Sequence, residues 1–101
     1  MRELAACYAG QRLWWRARYI KDTIPPGGGT PVYLLERVRD TTGTEIMDHC
    51  WIRTTAEMRE RKPRSGSIVT FSAVVRRYQR MNGTWDYGLF DIEAFKHRRK
   101  R

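Results

Sequence analysis

Histidine and cysteine are scarce in this chain, two of each among 101 residues, and their placement excludes more than their number does. Cys7 and Cys50 lack Cys-x-x-Cys spacing, so neither a zinc ribbon nor a thiol redox motif is indicated. In a reducing compartment the default is two free thiols, one of them buried; a single disulfide is the alternative. His49 adjoins Cys50, but neighbouring residues of a strand point to opposite faces and do not easily share a ligand. With His97 in the tail, no Ser-His-Asp, Cys-His or convergent carboxylate set has supporting context. The chain is therefore read as a non-enzyme without metal or cofactor. Long apolar runs are also missing. Nothing approaches the roughly 20 residues of a membrane span, and "MRELAACYAG" is too weakly hydrophobic for a secretory signal. The expectation is a cytoplasmic protein with no membrane partner.

What is abundant is positive charge: 20 Lys and Arg against 11 Asp and Glu, a net +9. The last six residues, "KHRRKR", hold five of those cations and no acid, which leaves +4 on residues 1–95. A body this basic with a more basic end suggests a polyanionic partner, usually nucleic acid. The tail, 96–101, reads as a solvated arm that adds phosphate contacts without sequence preference.

Between residues 11 and 95 the pattern has period two and is rich in β-branched and aromatic residues. Strands are expected at about 12–23, 32–39, 45–53, 68–80 and 85–95. "IPPGGGTP" separates the first two, because its prolines lack donors and its glycines loosen the backbone. Those glycines lack Gly-x-x-x-x-Gly-Lys-Ser/Thr spacing and precede a strand, so they do not form a triphosphate loop. "DTTGT" is a turn, and Asn82-Gly83 is a strong hairpin signal. "TTAEMRERK", with Thr54 or Thr55 as N-cap, reads as one short helix that ends before Pro63. Residues 1–10 form a helical turn or an edge segment. The organisation is thus 1–10, a folded unit 11–95, and a tail 96–101.

A mainly β chain with its one helix between strands three and four resembles the OB-fold, a five-stranded Greek-key barrel. The phrases "GSIVTFSAVVRRYQR" and "TWDYGLFDIEAF" carry the likeness, which extends to small single-stranded nucleic-acid-binding OB proteins of bacteria, phages and plasmids. The cationic end departs from the acidic-tipped tail of bacterial single-stranded-DNA-binding proteins, so the housekeeping role of that family is not implied. The resemblance implies that strands one and four are neighbours. It also implies a binding face on strands two and three, rimmed by "PPGGGTP" and "RMNGTW". Tyr33, Arg37, Arg39, His49, Trp51 and Arg53 become candidates on that face.

The residues themselves point first to "QRLWWRARYI". Leu13, Trp15, Ala17 and Tyr19 form an inward series; Arg12, Trp14, Arg16 and Arg18 form an outward one. An exposed indole among guanidiniums suits stacking of unpaired bases beside phosphate contacts. Strand four repeats the pattern, with Val69, Phe71, Ala73 and Val75 inward and Arg76, Tyr78 and Arg80 on the other face. Packing of Trp14 under a neighbouring segment, and of Tyr78 after a bulge, is the plainer alternative. On strands two and three, Val32, Leu34, Glu36, Val38 and Ile46, Asp48, Cys50, Ile52 are taken as inward, with Glu36 and Asp48 breaking the pattern. Trp51 and Trp85 are further stacking candidates, and Asp86, Asp91 and Glu93 are candidates for cross-strand pairing with arginines. The leading expectation is non-catalytic binding of single-stranded DNA or RNA. The alternative is a protein-interaction module, an inhibitor or accessory factor of a mobile element, since Trp, Tyr and Arg also dominate protein interfaces. Homodimerisation through a strand edge is open under either reading.

Overall fold

In the computed structural model, residues 3–97 are described. A four-residue helix, α1 (Glu3–Ala6), precedes β1 (Arg12–Thr23), β2 (Val32–Arg39) and β3 (Glu45–Arg53). A five-residue helix, α2 (Ala56–Glu60), then leads to β4 (Ile68–Gln79) and β5 (Trp85–His97). The fold is mainly β: one antiparallel sheet in the order β3-β2-β1-β4-β5. The helix expected between the third and fourth strands is present. The helical turn expected before β1 is present as α1, and after it a single bridge joins Ala9 to Val75. The strand ends match the alternation closely, with one difference. β5 runs on through Lys96 and His97, which the sequence assigns to the tail; the remaining tail residues, 98–101, lie outside the described residues.

The core collects the inward series of β1 and β4. Trp15, Ala17, Tyr19, Val69, Phe71, Ala73 and Val75 are all buried. Trp15 donates its indole N–H to the Ala73 carbonyl, and Tyr8 meets its ring edge-on. A second aromatic group runs Tyr19, Tyr33, Phe95, Phe71, with successive ring centres 4.9–6.0 Å apart.

On β2 the sequence-based facing is reversed over its first half, where Tyr33 and Leu35 are buried and Val32 and Leu34 are only half-buried. The burial of Tyr33 removes it from any binding face. Its hydroxyl donates to the Met58 carbonyl at 2.9 Å, which ties β2 to α2. Met58 is itself buried, and its backbone N–H is capped by the Thr55 hydroxyl. On β3, Met47 joins Ile46, Cys50 and Ile52 inside, whereas Asp48 is exposed. Neither exception to the expected pattern, Glu36 or Asp48, is buried. Cys50 is buried and Cys7 exposed, and no disulfide joins them.

Two turns share one geometry. In 40–44 the Asp40 N–H donates to the Thr44 carbonyl and the Gly43 N–H to the Asp40 carbonyl; in 80–84, Arg80, Thr84 and Gly83 repeat it. Each is a three-residue hairpin loop that needs a positive φ at its glycine, and Gly43 and Gly83 supply 87° and 86°. Asn82-Gly83 therefore marks the hairpin as expected, but within a three-residue loop and with only the glycine left-handed.

The Tyr33 hydroxyl is the side-chain bond that fastens α2 across the end of the sheet. Tyr33→Phe should lower unfolding free energy by about 1–2 kcal/mol, since it orphans a buried carbonyl. Urea denaturation measures this, and an unchanged midpoint would show that the bond contributes nothing.

Candidate functional site

Trp14 and Trp15 are adjacent, so the pleat sends them to opposite faces. Trp15 is 2% exposed and Trp14 is 54% exposed. Trp14 stands on the wall of a groove of about 580 Å³ with Arg16 and Arg18 of β1, Arg37 and Arg39 of β2, and the 40–44 turn. Ile68 and Thr70 of β4 complete it. The groove holds five of the residues expected from sequence, and its volume is in the range of ordinary ligand sites.

Arg37 and Arg39 reach this groove because of one backbone irregularity. Arg18 pairs with Glu36 and Arg16 with Arg39, so β2 spends one more residue than β1 over that interval. The surplus residue is Arg37, with φ of 51°. This bulge resets the alternation: Tyr33 and Leu35 point inward before it, and Val38 points inward after it. Without it, Arg37 and Arg39 would follow Tyr33 and Leu35 into the core.

The charge in the groove is largely uncompensated. Among the described residues, no ion pair or side-chain hydrogen bond engages Arg16, Arg18, Arg37 or Arg39, and the Arg18 Nε is buried without a partner. The one carboxylate on the wall, Asp40, is occupied. It accepts from the Thr42 hydroxyl and N–H, from the Thr44 N–H and from the Tyr8 hydroxyl. The Thr42 hydroxyl, followed by Tyr8 and the two backbone donors, holds its carboxyl below the usual range against an opposing effect of burial. The same bond raises the Tyr8 phenol above its ordinary value.

The other expected residues lie apart from the groove. Arg12 pairs with Glu93 at 3.1 Å and donates to the Ser72 hydroxyl; Arg76 pairs with Asp91 and Arg80 with Asp86. The three acids of β5 thus hold arginines, as their positions suggested. Tyr78 is half-buried, edge-on to Phe90, and both rings close over Gly88, where an added Cβ would meet them at 3.1 and 3.2 Å. Trp14 lies opposite Ser72, so Tyr78 is six residues further along β4, about 20 Å away. The two cation–aromatic–cation triplets therefore do not make one platform.

Trp85 is exposed, with the Arg77 guanidinium 4.5 Å over its ring, and it pairs with Gln79 on the face opposite Tyr78. Trp51 is exposed on β3 opposite Leu34 and does not line the arginine groove. The proline-glycine loop lines a separate hollow with Arg53, away from the arginine groove. The face implied by the OB resemblance thus contributes only Arg37 and Arg39. His49 is exposed beside Asp48 with Cys50 buried behind it, and no metal-ligand cluster occurs among the described residues.

Sequence reasoning missed Asp40, Thr41 and Gly43 as groove walls, although "DTTGT" marked the turn. It also missed Lys96 and His97, which line one hollow with Thr70 and another with Met58 and Arg61. Their position in a charge run hid them as strand residues.

Trp14→Ala should leave unfolding free energy within about 0.5 kcal/mol of the parent, whereas Trp15→Ala should cost about 3–5 kcal/mol. Equal losses in urea denaturation would place both indoles in the core. Arg37→Gly should stabilise the fold by about 0.5–1 kcal/mol, since glycine relieves a left-handed conformation at some entropic cost. A lowered unfolding midpoint for that variant would contradict the strain assigned to the bulge. Because the Asp40 carboxyl is depressed in the folded state, its stabilisation is present above the ordinary carboxylate pKa. It is lost as pH falls through the lower folded value. Thermal unfolding from pH 7 to 2 should show an acid-limb decline that Asp40→Asn flattens.

Comparison of the chain with protein-family models, with curated proteins and with solved structures found no match.

Proposed function

We propose that this chain is a small OB-type barrel that binds single-stranded nucleic acid without catalysis, in the groove walled by Trp14, Arg16, Arg18, Arg37 and Arg39. The barrel reading draws support from the strand order β3-β2-β1-β4-β5 and from the close approach of the outer strands, β3 and β5. The binding reading rests on one observation: an exposed indole beside four guanidiniums that no ion pair engages among the described residues, with Glu36 opposite Arg18 and Glu45 opposite Arg39.

The chemistry follows from that arrangement. Guanidiniums donate a fork of parallel N–H bonds to phosphate oxygens, and condensed counterions are released as they do so. The indole offers a face to an unpaired base, worth about 1–3 kcal/mol and tolerant of base identity. A duplex keeps its bases stacked on one another and leaves Trp14 without that partner, which favours single strands. Stacking on an indole and contacts to phosphates are both tolerant of base identity, so little sequence preference is expected.

Titration of a labelled oligothymidylate against salt tests this reading. With four phosphates engaged, log affinity should fall with log salt at a slope of about −3, from roughly 0.7 per contact. Trp14→Ala should weaken binding by about 5- to 150-fold, corresponding to about 1–3 kcal/mol, while leaving the slope unchanged. Absence of binding at low salt would refute the proposal. A stoichiometric protein that survives nuclease treatment of the purified complex would favour a protein-interaction module instead.

A further inference from the structure

The groove does not end at β4. The hollow beside it shares Arg16, Ile68 and Thr70 with the main groove and adds Lys96 and His97 of β5. A third hollow shares Lys96 and His97 and reaches Arg61 just beyond α2. Strand register explains the continuity. Arg39 lies opposite Arg16, Arg16 opposite Thr70, and Thr70 opposite Lys96. Residues directly opposite one another in antiparallel strands project from the same face. Arg39, Arg16, Thr70 and Lys96 therefore form a single row across β2, β1, β4 and β5, three strand spacings or about 14 Å long.

The row has defined ends. Beyond Arg39 comes Glu45, its partner on β3, whose carboxylate disfavours phosphate. Beyond Lys96 the chain continues through His97 into Arg98, Arg99, Lys100 and Arg101. No acid lies in the row between Arg39 and Lys96, and Thr70 offers a hydroxyl donor in the middle. The neighbouring row, Trp14, Ser72 and Glu93, carries the stacking ring on β1 and an acid on β5 that Arg12 neutralises.

Resting on the single-strand reading above, we propose that the nucleic-acid backbone crosses the sheet at right angles to the strands. It would run from Arg39 over Arg16 and Thr70 to Lys96, with a base laid against Trp14 on one side of that line. Lys96 is then a phosphate-binding residue of the folded sheet rather than part of a loose arm. The path excludes the projecting β4–β5 hairpin with Tyr78, Arg80 and Trp85. It also excludes the outer face of β3 with Trp51.

The test compares salt slopes for the full chain and its variants on a labelled oligothymidylate about twelve nucleotides long. Lys96→Ala and Arg39→Ala should each reduce the magnitude of the slope by about 0.7, the share of one phosphate contact. Lys96→Glu should weaken binding further at low salt. The double variant Arg80→Ala with Asp86→Asn, which preserves net charge at a distant site, should match the parent. Unchanged slopes for Lys96→Ala and Lys96→Glu, with Arg16→Ala still reducing it, would overturn the crossing path and leave the groove assignment standing. A parent protein with no salt dependence would remove the groove assignment itself, and the path with it. Lys96 is exposed, so thermal unfolding of its variants should coincide with that of the parent.

Discussion

A strand allows each residue only one of two faces, and register shifts, three of them at left-handed residues, decide where this sheet changes the assignment. Arg37, Asp91 and Ala94, with φ of 51°, 53° and 52°, sit where the register of β2 or β5 gains a residue over its neighbour. Each resets which side chains meet the core. On β5 the partly buried apolar positions packed on the core become Ile92 and Phe95, following Leu89 at intervals of three. The outward positions become Phe90, Glu93 and Lys96 at the same interval, as their partners Val74, Ser72 and Thr70 require. The arginine groove and the row that leads from it both depend on these resets. A regular β2 would bury guanidiniums, and a regular β5 would not set Glu93 against Arg12 and Lys96 beside Thr70 on one face.

That dependence explains what could be read in advance. β1 and the start of β4 pair without a bulge, and there the alternation named the buried apolar residues and the exposed Trp14. Leu13, by contrast, is only half-buried, and Ser72 is buried on the face read as outward. The element order and strand ends were legible for the same reason, because turn residues and β-branched runs act locally. β2 and β3 misled, since a left-handed Arg leaves no mark in the sequence comparable to a glycine. Tyr33 was placed outside, and Met47 was missed inside, by extrapolating a period past its interruption. The groove itself was half legible: its β1 residues were evident, but the convergence of Arg37 and Arg39 upon them was not.

Charge divides the arginines more sharply than exposure does. Arg12, Arg76 and Arg80 each have a carboxylate of β5, and such exposed pairs contribute little to stability. Their consequence is to offset positive charge along β4 and at the start of β1. The arginines of β1 and β2 that no ion pair engages are the ones gathered in a single groove. Net charge alone overstates the area able to hold an anion.

The extra residue at Arg37 also bears on how this chain tolerates change of length. Loss of that single residue would let β2 run straight with Val38 still inward and Arg39 still outward, and would shift the 40–44 turn relative to β3. Side-chain exchange at the same position leaves the backbone path intact. Deletion at Arg37 thus spares the facing of the residues on either side, whereas deletion within a regular stretch of strand reverses it.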